Sequence, residues 1–192
     1  MQKIAIIPIN NTGQSVADNL QKEFNGQIVN RSDVGHLWSD YDAFVFIGAM
    51  GICIRTIAPY INDKHTDPAA VCIDSLGKHV ISVLSGHVGG ANDLTQLIAS
   101  ALGSHPVITT QSDNKGLWAL DTMAKRYGWE QVHCSDINQC IFSFVNKEPA
   151  ALLLETRDKG TEELEQTMPE HVTMVNNMEE VLSGHYKLVI IV

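Results

Sequence analysis

His87 is the residue of this 192-residue chain best placed to do acid–base chemistry. It lies in Ser85-Gly86-His87-Val88-Gly89-Gly90, a loop with three glycines. An imidazole exchanges protons near neutral pH, and glycine lets a backbone turn sharply and approach a ligand closely. The run before the loop, Val80-Ile81-Ser82-Val83-Leu84, reads as a buried strand. After it, Leu94, Leu97, Ile98 and Ala101 recur at helical spacing, with Gly103 as the stop. The unit is strand, glycine loop, helix. The first amides of such a helix point out unpaired, which makes the corner an anion site. The loop is neither G-x-G-x-x-G nor G-x-x-x-x-G-K-[ST], so it carries no dinucleotide or ATP-type fingerprint. The competing reading is a structural corner in which His87 is a loop staple, hydrogen-bonded to backbone.

Two more loops leave apolar runs in the same manner. Ala43 to Ile47 runs into Gly48-Ala49-Met50-Gly51. Ile54, Ile57, Ala58 and Ile61 then mark a helical face, Arg55 lies one turn in, and Pro59 ends the helix early. Pro106 to Thr110 runs into the polar loop Gln111 to Gly116, which holds Ser112 and Asp113. In open α/β sheets, ligands bind beyond the carboxyl ends of the strands. If the three strands run parallel, the three loops line one rim.

The remaining elements fit that frame. Lys3 to Ile9 is a near-continuous apolar strand. Ser15 and Asp18 are spaced like a capping box before Ala17, Leu20 and Phe24. The run Ala70 to Asp74 is a strand, and Ser75-Leu76-Gly77-Lys78 looks like a hairpin turn leading into Val80. Leu117, Leu120, Met123, Ala124 and Tyr127 mark a helix stopped by Gly128. Alternating strands and helices argue an α/β fold: a mostly parallel sheet with helices on both faces. Residues 1–128 form an N-terminal α/β domain. Residues 129–192 form a smaller second α/β lobe, with strands at Ala151, Val172 and Leu188. The chain stops inside an apolar strand without a polar tail, which reads as a domain cut from something longer.

Charge is uneven. Residues 1–128 carry 9 Lys/Arg against 11 Asp/Glu, a net of −2; residues 129–192 carry 4 against 11, a net of −7. Nucleic acid is a poor partner for such a chain. No stretch approaches the ~18 apolar residues that span a bilayer, and the N-terminus lacks a signal-peptide layout. A cytoplasmic protein with no membrane partner is expected. Cys53, Cys72, Cys134 and Cys140 show no C-x-x-C spacing, and the histidines form no H-E-x-x-H pair. Reduced thiols and no protein-held metal are therefore expected.

Several stretches together resemble the cobalt-precorrin-5A hydrolase family of anaerobic cobalamin biosynthesis. They are Gly48-Ala49-Met50-Gly51-Ile52-Cys53-Ile54-Arg55, Ile57-Ala58-Pro59, Asp63-Lys64 with Thr66-Asp67-Pro68-Ala69, Leu84 through Asn92, and Val107-Ile108-Thr109-Thr110 with Ser112-Asp113. Each is weak alone; five in order at fitting spacings are specific. The resemblance covers residues 1–160 well and the rest loosely. It implies a hydrolase that opens a δ-lactone of a cobalt-bearing tetrapyrrole with water, followed by loss of a two-carbon fragment as acetaldehyde. The cobalt travels with the substrate, so no cofactor is implied. Members of that family also carry a third, C-terminal domain. A separate polypeptide of that kind is an expected partner, beside the corrinoid itself. The alternative is a non-catalytic corrinoid-binding module that needs the third domain.

The site assignments rest on chemistry. A substrate rich in carboxylates calls for Arg55 as a bidentate clamp and Lys64 as a point charge; the alternative for each is a surface charge paired with an acid. Thr109, Thr110 and Ser112 offer hydroxyls, or serve the turn. Asp113 and Asp67 could orient a histidine or water, and Asp113 equally a helix cap. His87 is the proposed base. Gly48, Gly51, Ser85, Gly86, Gly89 and Gly90 bring backbone to the substrate, with the amides near Gly89 and Gly90 holding an oxyanion. Asn92 acts with them or, preferably, caps the helix.

Overall fold

The computed structural model describes residues 2–111, 115–130 and 136–192. Two compact units divide the chain, residues 1–110 and 111–192.

The first unit is built on a six-stranded sheet of order β2-β1-β3-β4-β5-β6. The strands are β1 (Ile4–Pro8), β2 (Gln27–Ile28), β3 (Ala43–Ile47), β4 (Ala69–Ile73), β5 (His79–Leu84) and β6 (His105–Val107). Alternation of side chains across a strand sends successive residues to opposite faces. Ile4, Ile6, Val45, Ile47, Val71 and Ile73 face one layer, with α1 (Gln14–Phe24) and α4 (Ala91–Leu102). Ala5, Ile7, Phe44, Phe46 and Cys72 face the other, with α2 (Val34–Leu37) and α3 (Met50–Ile57). Both faces are covered, which is why these strands read as unbroken apolar runs. Cys53 and Cys72 are buried in the second layer, where the Cys72 thiol donates to the Gly48 carbonyl at 3.6 Å and the Cys53 thiol donates to the Cys72 sulfur; that bond and burial push Cys53 up.

The strands are not all parallel. β1 to β4 share one direction, β5 pairs antiparallel with β4, and β6 pairs parallel with β5. The cause is the turn at Asp74–Lys78. Gly77 takes a left-handed φ of 69°, a conformation glycine adopts without steric cost. The Asp74 carboxylate accepts N–H bonds from Leu76 (2.9 Å), Lys78 (2.9 Å) and His79 (2.6 Å). Partial burial opposes ionisation of Asp74, but these amides, led by His79, hold its pKa below the ordinary value. A depressed carboxyl stabilises the fold above its unfolded pKa and loses that contribution as pH falls through the folded value. Asp74→Asn should therefore lower stability at neutral pH by about 1 kcal/mol, discounted for a side chain open to solvent. Its melting temperature should also fall less than the parent's on acidification below pH 4. Equal acid sensitivity in thermal melts of the two proteins would contradict this.

The expected capping box does not form. α1 starts after Gly13 with no side-chain cap, and Asp18 accepts instead from the Gln14 amide at 2.9 Å. A short 3₁₀ turn at Asn11–Gly13, capped by Asn10, takes up the chain entry.

The second unit holds a parallel three-stranded sheet of order β8-β7-β9: β7 (Ala150–Leu153), β8 (Val172–Val175) and β9 (Leu188–Ile191). Its helices are α5 (Met123–Tyr127), α6 (Ile137–Val145), α7 (Lys159–Gln166) and α8 (Met178–Ser183). The boundary falls after Thr110 rather than after Gly128. Leu117, Trp118, Leu120, Met123 and Tyr127 pack with Phe144, Leu152 and Leu164 in the second core. Helical spacing identified these residues as core-facing but could not say which core. Only Met123–Tyr127 of that run is helical. No helix of the described residues is long and apolar enough to cross a membrane.

Candidate functional site

The reversal of β5 and β6 decides which predicted residues can meet. Ile47 of β3 pairs with Ile73 of β4, which pairs with Val80 at the start of β5. The carboxyl end of β5, Leu84, lies against Ala70 near the start of β4. The corner after β3 and the corner after β5 therefore lie at opposite edges of the sheet, about 13 Å apart along the strands. Gly48, Gly51 and Arg55 do not share a rim with His87. Arg55 also turns its guanidinium back toward Gly51, where an added Cβ would lie 3.4 Å from Nη2. The expected clamp of Arg55 and Lys64 around the His87 loop is thereby corrected: the hairpin between β4 and β5 carries His87 away from Arg55, and Lys64, just before β4, lies at the opposite end of the strands from the corner after β3. Gly48 has its own local reason: φ is 154° and a Cβ would meet Ile9 at 2.7 Å.

The edge that holds His87 gathers three segments: the Ser85–Gly90 corner after β5, Thr109 and Thr110 beyond β6, and the Asn62–Pro68 loop before β4. β5 and β6 are parallel neighbours, so their carboxyl ends emerge side by side. Gly89 packs on the start of β4, where an added Cβ would lie 3.3 Å from the Ala69 nitrogen. Asp67, two residues earlier, is buried, and its carboxylate closes the loop by accepting the Asn62 N–H at 2.8 Å. That loop carries Lys64 at an exposed position.

The corner is tightly wound. Gly90 N–H donates to the His87 carbonyl (3.0 Å), Ala91 N–H to Ser85 (3.1 Å) and Asn92 N–H to Gly86 (2.9 Å). These amides, expected to face a ligand, are consumed by the loop itself. Among the described residues, the Gly89 amide N–H has no such partner. Gly90 sits at φ 83°, and a Cβ on Gly89 would fall 2.5 Å from the Ser85 Cβ and 2.9 Å from its carbonyl oxygen. Ser85 is left-handed at φ 55° without being glycine, a conformation costing roughly 1–2 kcal/mol. Its hydroxyl is buried without a hydrogen-bond partner among the described residues. His87 is half-buried in the middle of the loop.

Asn92 does not cap α4. It is 4% exposed; its Oδ1 accepts from Ser82 Oγ (2.7 Å) and its Nδ2 donates to Thr110 Oγ1 (2.9 Å). One amide thus ties β5, the helix start and the chain beyond β6 together. It also lines Gly86, where a Cβ would come within 2.8 Å of Oδ1. Ser82 was not singled out from the sequence, although a lone hydroxyl inside the run Val80 to Leu84 was the signal available. Thr109 is exposed and Thr110 half-buried. Ser112, Asp113 and Cys134 lie outside the described residues. Groups of histidine, cysteine and carboxylates able to hold a metal are absent among the described residues. A shallow groove of about 280 Å³ lined by Asn19, Lys22 and Leu102 lies at the far end of α4 from the glycine corner.

Residues 33–113 match the family model described as cobalamin synthesis G N-terminal, and residues 118–192 match that of the cobalamin biosynthesis central region. A cobalt-precorrin-5A hydrolase of Priestia megaterium is 38% identical over 180 residues, 93% of this chain and 47% of that protein. One from Salmonella typhimurium is 56% identical over 87 residues, 45% of this chain and 25% of that protein. The chain thus spans less than half the length of these curated relatives. A crystal structure of a cobalamin biosynthesis protein G homologue from Sulfolobus solfataricus superposes with a TM-score of 0.57 at 23% identity, over 98% of this chain and 59% of that one; this likeness concerns the fold. Two consecutive family regions cover most of the sequence in order, and the chain belongs to the cobalt-precorrin-5A hydrolase family, of which it carries the N-terminal and central regions.

Proposed function

We propose that this chain acts in the cytoplasm in corrin-ring biosynthesis as a hydrolase that opens the δ-lactone of cobalt-precorrin-5A, with release of acetaldehyde. The observation that carries the reading is the match of both family regions together with hydrolase relatives at 38% and 56% identity. The wound corner supports it by supplying a histidine on a rigid backbone. Cobalt belongs to the substrate, and the reaction itself asks for no further cofactor.

In this reading His87 accepts a proton from water as the water oxygen attacks the lactone carbonyl. The Gly89 amide donates to the oxyanion that develops there. The ring C–O bond then breaks, and the imidazolium returns the proton to the departing alkoxide, leaving a carboxylic acid and an alcohol. The alcohol O–H then gives up its proton as the C–C bond to the macrocycle breaks; the two-carbon fragment leaves as acetaldehyde, and the bond's electron pair stays on the macrocycle carbon, which takes up a proton. Lys64 and Thr109 meet peripheral carboxylates of the macrocycle from the same edge, and Arg55 takes no part. Asn92 holds the corner against Thr110 so that donor and base keep one geometry.

The test is to incubate the purified chain with cobalt-precorrin-5A and score acetaldehyde against substrate consumed. Release by the chain alone is the expected result. Release only after the remaining part of a full-length relative is added would make this chain a binding module, and none in either mixture would remove the hydrolase reading.

A further inference from the structure

The three-stranded sheet of the second unit is covered unequally on its two faces. On one face, Ala150, Leu152, Val172 and Leu188 pack with Met123, Phe144 and Leu164, drawn from α5, α6 and α7. On the other, among the described residues, Ala151, Leu153 and Val175 pack with Val181 of the six-residue α8 and with Tyr186. α8 covers the side nearer β8. The register sets Val189 beside Ala151 and Ile191 beside Leu153, so both β9 side chains point to this second face. Val189 is 37% exposed and Ile191 47%. Leu182 of α8 is 80% exposed and Met178 47%. Parallel strands are ordinarily buried on both faces, and an apolar edge strand left open is a template for association.

We infer that the open face formed by Val189 and Ile191 is the docking surface for an amphipathic helix from the polypeptide that follows the central region in the longer relatives. Two observations choose this occupant. The matching family models are N-terminal and central regions, and the Priestia relative is matched over only 47% of its length, so relatives possess further chain to supply it. In addition, parallel β-α-β winding places successive helices against neighbouring strands, and β9 is the strand whose second face has no helix among the described residues. Glu179 at the exposed start of α8 adds an acidic rim, which favours a helix whose apolar stripe is flanked by Lys or Arg. The inference does not depend on the lactone chemistry.

The experiment titrates the purified 192-residue chain with the separately produced region of the Priestia megaterium relative that lies beyond the matched stretch. Calorimetry reads affinity and sedimentation reads the state of each component. Saturable one-to-one binding is expected. Val189→Thr with Ile191→Thr keeps β-branched side chains suited to a strand and should weaken binding at least about tenfold. Leu97→Ser, on the exposed side of α4 in the first unit, should leave affinity unchanged. Three results overturn the inference: absence of binding by the parent chain, equal affinity of the parent and the doubly substituted β9 variant, or a parent dimer that the same substitutions dissociate. The last would make the occupant a second copy of this chain.

Discussion

His87→Ala should lower the turnover of cobalt-precorrin-5A by about 10²–10⁴-fold while leaving its binding nearly unchanged. The range is what a positioned general base contributes. His87 sits in a loop whose backbone is held by three short-range hydrogen bonds from Gly90, Ala91 and Asn92, none of which uses its imidazole. His87→Gln is the informative companion, since an amide can replace a structural hydrogen bond but cannot take a proton. If His87 is a staple, glutamine should restore most of the activity lost by alanine, and alanine should cost binding and melting temperature together. Turnover, affinity and melting temperature measured side by side on both variants separate the two roles. Normal turnover in His87→Ala would remove the residue from the mechanism.

Gly89→Ala should be the most disruptive single-methyl change at this edge. The new Cβ would lie 2.5 Å from the Ser85 Cβ and 2.9 Å from the Ser85 oxygen, with the Ala69 nitrogen at 3.3 Å. None of these is the end of a flexible side chain, so the loop itself must move. Overpacking of this kind costs typically 1–3 kcal/mol, a fall of roughly 2–10 °C in melting temperature for a protein of this size. Displacing Ser85 also moves the Ala91 amide bonded to its carbonyl, and with it the proposed oxyanion donor and His87. Turnover should therefore drop further than the stability loss explains. Gly90→Ala is the control. No atom lies within 4 Å of its Cβ, but φ is 83°, so it should lose only about 1–2 kcal/mol from the left-handed backbone. Equal melting temperatures for the parent and Gly89→Ala would show that the corner is looser than described.

Much of this architecture is legible in residue order. The six-residue loop around His87, the helix beyond it and the Gly103 stop are local matters of spacing and backbone freedom, and they stand where the pattern puts them. The hairpin turn at Ser75–Lys78 is equally legible, but its consequence runs against the expectation of one shared rim. A hairpin makes β5 antiparallel to β4, and the carboxyl end of β5 then cannot join that of β3. Gly48, Gly51 and Arg55 fall to the far edge for that reason. Asn92 is a different case. Its type and its place near a helix start suit a cap, and nothing local reveals that Ser82 and Thr110 would stand on either side of its amide.

The sequence by itself determined the α/β class, the positions of most elements and the glycine corner that carries His87, because periodicity, turn chemistry and glycine's φ range act over a few residues. Tertiary structure alone decided which loops face one another, where Leu117–Tyr127 buries its apolar side, and that the Gly90, Ala91 and Asn92 amides are spent within the corner. Those outcomes depend on strand direction and on contacts between residues far apart in the chain, such as Gly89 with Ala69. The tertiary fold settles them by asking that each buried face and polar group find its partner at once.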